Sequence, residues 1–197
     1  FAKKESLSVY RGLEYDVLDR YYQTAKKFKI DHIMRITSDC PLIDPQICDH
    51  IIDVYLSSGV DFVHTGATFA EGVDCEVLSF KTLEKAWNEA SLKSEREHVT
   101  LYLHNHSEIF KKITLVNETD NSKYRFTVDE PEDFEVVKAI IEALYRKGAA
   151  PFKTKEIITF LDEHPDIFKL NAHIIRNAGL LKSLSEDIVI DKFKLIV

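Results

Sequence analysis

The sequence predicts an α/β layered domain, and three observations predict it. Apolar residues alternate between runs with strand character and runs with a helical period. Helix start and stop signals fall at the ends of the helical runs. The composition, 45% hydrophobic and 30% charged over 197 residues, is that of one ordinary globular domain with a sizeable core.

In chain order, Phe1 to Glu5 reads as the tail of a helix and Leu7 to Tyr10 as a short strand. From Tyr15 to Phe28, the residues Val17, Leu18, Tyr21, Tyr22, Ala25 and Phe28 share one helical face and leave Asp19, Lys26 and Lys27 to solvent. His32 to Ile36 reads as a buried strand, broken by Thr-Ser-Asp-Cys-Pro because Pro41 disfavours helix at Cys40. Asp44 before Pro45 is a helix start, an N-cap acceptor followed by a first-turn proline, and Ile47, Ile51, Ile52, Tyr55 and Leu56 carry the apolar face to Gly59. Asp61 to Thr65 and Cys75 to Phe80 are strand candidates, and Thr82 to Ala90 and Glu95 to Asn105 read as helices. Ile113 to Val116 and Tyr124 to Val128 read as short strands around a polar turn, an antiparallel excursion from a mostly parallel sheet. The next helix, about Glu132 to Arg146, points Phe134, Val137, Ile141, Leu144 and Tyr145 inward and stops near Gly148. Beyond Pro151 come a helix from Lys155 to Glu163, a proline-broken stretch and a mixed tail to Val197.

Charge and cysteine usage exclude several classes of function. Lys plus Arg total 26 against 33 Asp plus Glu, a net charge of -7, so no broad field attracts nucleic acid, and a polyphosphate ligand needs locally placed cations or a metal. Cys40, Cys48 and Cys75 form no close pair of the zinc-ribbon or redox kind and read as small buried thiols in a reducing cytoplasm. His98, His104 and His106 do not share a helical face as zinc ligands. No apolar run approaches the ~20 residues that span a bilayer, and the N-terminus lacks signal-peptide character. The aromatic stripe of Tyr21, Tyr22, Phe28 and Phe134 reads as core.

Two acidic segments carry the chemistry. Arg35-Ile-Thr-Ser-Asp-Cys-Pro41 lies at the carboxyl end of a predicted strand, where open α/β sheets bind ligands, so Asp39 either enters a crevice or stabilises a turn before Pro41. Phe126-Thr-Val-Asp-Glu-Pro-Glu-Asp-Phe134 crowds Asp129, Glu130, Glu132 and Asp133 at a helix start, where acids also serve as caps. Taken together, two carboxylates delivered from different strand ends are what Mg²⁺ needs while it keeps waters and phosphate oxygens. Between them lies the acidic loop Glu71-Gly-Val-Asp-Cys-Glu76, followed by Ser94-Glu-Arg-Glu-His-Val-Thr100. Ser94 through Glu97 reads as a capping box with Arg96 on a solvated face; alternatively Arg96 holds a carboxylate or phosphate and His98 a hydroxyl.

Val-Tyr-Arg-Gly12 with Asp16-Val-Leu-Asp-Arg-Tyr-Tyr22, the Arg35 to Pro45 segment, Ser94 to Thr100 and Thr127 to Phe134 together resemble the spore coat polysaccharide biosynthesis branch of the acylneuraminate cytidylyltransferase family. Asn171-Ala-His, Asn177-Ala-Gly and Lys182-Ser-Leu-Ser-Glu-Asp187 are similar to that branch as well. The resemblance implies a Rossmann-like, three-layer nucleotidyltransferase of glycosyltransferase-A type with a mostly parallel sheet. It implies transfer of CMP from CTP to a sugar or sugar acid, Mg²⁺ as cofactor and a homodimer, while the cysteines and the want of spanning or signal segments set the expectation of a cytoplasmic location. By position it makes Asp39 and Asp129 the metal-binding, catalytic aspartates, and it places Asp16, Arg20, Arg35 and Ser38 at the nucleotide. Asp74, Glu76, Arg96, Glu97 and His98 fall at the sugar. The family's opening loop, of the type Arg-x-x-Ser-x-Arg-Leu-Pro-Gly-Lys, has no counterpart here. The expectation is therefore a domain over residues 1–150 that is incomplete at its N-terminus, with residues 151–197 as an extension packed on it. A glycosyltransferase using a nucleotide sugar and a non-catalytic assembly module are the alternatives.

Overall fold

A computed structural model describes residues 1–190; the remainder of the expected tail lies outside the described residues. The helices are α1 (Val17–Phe28), α2 (Pro45–Ser58), α3 (Phe80–Glu89), α4 (Lys93–Glu97), α5 (Leu101–Asn105), α6 (Pro131–Leu144), α7 (Thr154–Glu163), α8 (Pro165–Phe168) and α9 (Ala178–Ser185). The strands β1 (His32–Arg35), β2 (Phe62–Thr65), β3 (Glu76–Ser79) and β4 (Lys112–Leu115) form one four-stranded sheet in the order β1-β3-β2-β4. This is the mixed α/β class that the alternating periodicity implies. The fold gathers into two compact units, one of residues 1–33, 78–111 and 177 onward, the other of residues 34–77 and 112–176.

In the first unit, α1 begins at Asp16, whose carboxylate accepts from the Asp19 amide at 2.9 Å. It buries Leu18, Tyr22 and Ala25 at i, i+4 and i+7, and Tyr22 stacks on Trp87 of α3 with ring centroids 4.1 Å apart. The helix tail read at Phe1 to Glu5 is present as a closing turn: Ser6 is left-handed at φ 56°, with Ser6 N–H on Lys3 O and Leu7 N–H on Ala2 O. Leu7 to Tyr10 is not the strand the sequence predicts. Leu7 and Val9 are exposed, and no strand pairs with them among the described residues. The helix expected from Glu95 to Asn105 is in fact two, α4 and α5, because the chain turns left-handed at Val99, φ 49°.

The second unit holds two buried clusters. Ile51 and Tyr55 of α2 pack with Val63 of β2 and with Cys75 and Val77. Val136, Val137 and Ile140 of α6 pack with Ile157 and Leu161 of α7, Leu42, Phe69 and Phe126. Asp44 starts two helices at once, one carboxylate oxygen accepting from Gln46 N at 2.9 Å and the other from Thr154 N at 2.8 Å. β4 runs parallel to β2, with Phe62 opposite Lys112 and Thr65 opposite Leu115, so the antiparallel excursion is corrected. Tyr124 to Val128 forms no strand and makes a single parallel bridge, Arg125 to Glu71. α6 is turned from its expected face: Asp133, Val136, Val137 and Ile140 are buried, while Phe134, Ile141 and Tyr145 are exposed. Burial of the polar Asp133 sets that rotation, and Phe134 therefore does not belong to the core stripe.

Gly72 is where the acidic loop meets the segment before α6. It sits at φ 99°, and a Cβ there would lie 2.5 Å from Thr127 N. Gly72→Ala is therefore expected to cost at least about 2 kcal/mol, read as a lower urea midpoint with an unchanged slope.

Candidate functional site

The loop after β1 closes without using the Asp39 carboxylate. Its turn is made by Cys40 N–H on Thr37 O at 3.3 Å, and Thr37 Oγ1 meets Cys40 Sγ at 3.0 Å. The Asp39 carboxylate has only the Cys40 thiol, at 3.8 Å, so among the described residues no cation or cap neutralises it. The Asp39 main chain is firmly tied: its carbonyl accepts from Val128 N–H at 2.9 Å and from Thr127 Oγ1 at 3.2 Å. The two acidic segments picked out in the sequence are thus stitched together, one residue from Asp129. Burial pushes the Cys40 thiol up to about 11, with the charges of Asp39 and Asp74 adding to the effect, so it is inert at neutral pH.

Asp129 does not cap α6 either. That role falls to Asp133, whose Oδ2 accepts from the Asp129 and Glu130 amides at 3.1 and 3.0 Å. Asp129, half exposed, instead takes Arg125 Nη2 on Oδ2 at 2.8 Å. Arg125 is the centre of the group. Its Nε and Nη2 fork onto Asp133 at 2.8 and 2.9 Å, and its Nη1 reaches Glu71 at 2.6 Å. Asn171 donates to Asp133 Oδ1 at 2.9 Å and to the Arg125 carbonyl at 3.1 Å. Sequence reasoning offered Asp133 only as one of several helix caps and assigned no role to Arg125 or to the Asn171 side chain. The available signal was an arginine four residues ahead of a run of four closely spaced acids.

Asp74 accepts from Gly72 N at 3.1 Å and from Arg176 Nη2 at 3.2 Å, while Arg176 Nη1 bonds Phe69 O at 2.6 Å. Desolvation raises the Asp74 pKa, with Arg176 and the Gly72 amide opposing it. Glu76, buried at the start of β3, pairs with Arg35 at 2.9 Å, and Arg35 Nε is buried without a hydrogen-bond partner. Ser38 is exposed on the turn. Asp39, Asp74, Glu76, Asp129, Arg35 and Ser38 therefore all belong to the second unit.

The remaining expected site residues lie in the first unit, and most are engaged there. Arg96 is buried and grips Asp16 with Nε at 3.1 Å and Nη2 at 2.7 Å, while Nη1 holds Trp87 O at 2.8 Å. It is not on a solvated face. Nor is Ser94 to Glu97 a capping box: Ser94 Oγ donates to Asp187 at 2.6 Å, Glu97 accepts from Ser183 at 2.7 Å, and Glu95 caps the Ser91 and Leu92 amides at 3.3 Å. His98 is half-buried at the end of α4, and Arg20 packs its stem against Gly12. The cysteines are free thiols, Cys40 and Cys75 buried. Among the described residues, no three His, Cys, Asp or Glu side chains group to hold a metal by themselves, and no helix is long and apolar enough to cross a membrane.

Burial alone would raise the Asp133 pKa, but Arg125, Asn171 and the two helix-start amides outweigh it and hold the group at about 2, against an ordinary 3.8. Its contribution, about 2 kcal/mol, is complete above pH 4 and disappears as the pH falls towards 2. Denaturant titrations between pH 5 and 2 should show that loss. Asp133→Asn should flatten this part of the profile and cost about 3 kcal/mol or more at neutral pH, because Arg125 then stays buried with its strongest partner gone.

Residues 3–178 match the family described as Cytidylyltransferase. The chain is 32% identical to the spore coat polysaccharide biosynthesis protein SpsF of Bacillus subtilis, over 83% of this chain and 68% of that protein. It is 35% identical to an uncharacterized protein of Methanocaldococcus jannaschii, over 85% of this chain and 68% of that one. A solved cytidylyltransferase from Leptospira borgpetersenii superposes with a TM-score of 0.79 at 38% identity, covering 85% of this chain and 71% of the other. The chain belongs to the cytidylyltransferase family of nucleotidyltransferases.

Proposed function

We propose that this cytidylyltransferase moves CMP from CTP to a hydroxyl of a sugar or sugar acid in the synthesis of a cell-surface polysaccharide or glycan. The observation that carries the reading is Asp39, a carboxylate left without cation or cap in a loop bonded through its own carbonyl to Val128, next to Asp129. The name of the Bacillus relative, a spore coat polysaccharide biosynthesis protein, supports the polysaccharide branch.

Mg²⁺ is the proposed cofactor, with Asp39 and Asp129 as its ligands, and the donor set fits. A hard, octahedral cation takes one or two carboxylates and completes its shell with waters and phosphate oxygens. Local charge fits too: around Arg125, one guanidinium faces three carboxylates, and Asp39 adds a fourth nearby without a cation of its own. When bound, Mg²⁺ neutralises the charge that grows on the phosphate oxygens.

The reaction proposed is in-line attack by the acceptor oxygen on the α-phosphorus of CTP, with the bond to the β-phosphate breaking and pyrophosphate leaving. This chain supplies orientation and a fixed electrostatic frame rather than covalent chemistry. Arg35 and Ser38, beside Asp39, are the proposed nucleotide contacts of the second unit. Asp74 and Glu76 are its proposed acceptor contacts, each braced by an arginine. Arg20, Glu97 and His98 are proposed as substrate contacts by family position alone. Asp16 and Arg96 contribute through the buried pair that they form with each other.

Asp39→Ala in the full-length protein should cut CTP-dependent pyrophosphate release by on the order of 10²–10³-fold or more, with an unchanged circular dichroism spectrum and melt. Near-normal release would refute the assignment. Nucleoside diphosphate in place of pyrophosphate as product would identify a glycosyltransferase instead.

A further inference from the structure

We propose that Arg125 is a positioning residue for the transfer reaction: it fixes the Asp129 carboxylate by one oxygen and leaves the other open to the cation. The inference rests on the metal assignment above and adds to it the group that aims one of the ligands.

A guanidinium has five N–H donors in a rigid plane, and four of them are committed here, to Asp133 twice, to Glu71 and to Asp129. The plane cannot swing, because its strongest partner is itself pinned: Asp133 is fully buried and also accepts from Asn171 and from the Asp129 and Glu130 amides. Arg125 is 6% exposed at its side chain, so water does not replace a lost partner, whereas Asp129 is 51% exposed and would rotate freely without the grip. The contact to Asp129 uses Oδ2 alone. Because Arg125 also answers Glu71 and Asp133, its single charge is shared among three carboxylates, and a cation arriving at Asp129 has no need to displace it. A merely structural staple would satisfy Asp133 and Glu71 inside the core; the fourth bond, to a solvent-facing carboxylate adjoining the Asp39 loop, is the one that core packing does not require.

The test is a double-mutant cycle read by Mn²⁺ binding, using electron paramagnetic resonance of free Mn²⁺ as the probe. Arg125→Lys keeps the charge and loses the fork. It is expected to weaken Mn²⁺ affinity about tenfold, the usual effect of removing a group that orients a metal ligand, and to lower kcat more than it changes the KM for CTP. In an Asp129→Asn background the same substitution should change Mn²⁺ affinity by less than twofold. An unchanged affinity in Arg125→Lys, or an equal loss in both backgrounds, overturns the inference while leaving the metal assignment standing. If Asp129→Asn alone leaves Mn²⁺ binding untouched, the metal assignment fails and this inference with it. Should Arg125→Lys not fold, Asn171→Ala carries the same cycle by loosening Asp133: a loss of affinity that vanishes in the Asp129→Asn background supports the inference, and no loss overturns it.

Discussion

A buried guanidinium surrounded by three carboxylates is the constraint on which the second unit depends. Charge of this kind is costly to remove from water, and Arg125 stays inside only because Asp133 and Glu71 meet it with short, well-aligned bonds. Meeting those bonds dictates much else. Asp133 must face inward, so α6 turns its Val136, Val137 and Ile140 face to the core and gives up Phe134 to solvent. Glu71 must approach, so the loop before β3 comes so near Thr127 that only glycine fits at position 72. Asp129 is then delivered to the surface beside the loop that carries Asp39.

The acids of this chain sort by what has already claimed them. Asp16, Asp44, Glu95 and Asp133 all cap helix starts, and Asp16 and Asp133 hold buried arginines as well. Asp74 and Glu76 are each held by an arginine. Asp39 is left over. Among the buried and half-buried acids of the described residues, it alone has no partner beyond a thiol, and that asymmetry is what the functional proposal builds on.

Much of the fold was legible in the sequence because local signals decide it. The cap at Asp44, the stop at Gly59 and the strands expected at His32 to Ile36, Asp61 to Thr65 and Cys75 to Phe80 follow from spacing and turn chemistry, and each is present within a residue or so of those bounds. Sequence reasoning failed where distant partners decide. Tyr124 to Val128 has strand composition, yet its backbone is spent on Glu71 and Asp39 rather than on a neighbouring strand. Ser94 to Glu97 has the letters of a capping box, yet those side chains answer Asp187 and Ser183, far along the chain. The acidic start of α6 fits caps and metal ligands equally by its letters; in the structure Asp133 caps and binds an arginine while Asp129 is held outward. The strand-end position of Asp39 was visible in the sequence; that its carboxylate goes unclaimed was not, because that depends on who else arrives.

The first unit is stitched from three stretches of chain, and the last of them supplies the partners of α4: Asp187 for Ser94 and Ser183 for Glu97. During synthesis these partners emerge long after the helix they secure. Arg176, the partner of Asp74, emerges before them, as do all the described stretches of the second unit. Order of manufacture is thus written into the topology: the ribosome releases the stretches of the second unit before the segment from Asn177 that secures α4.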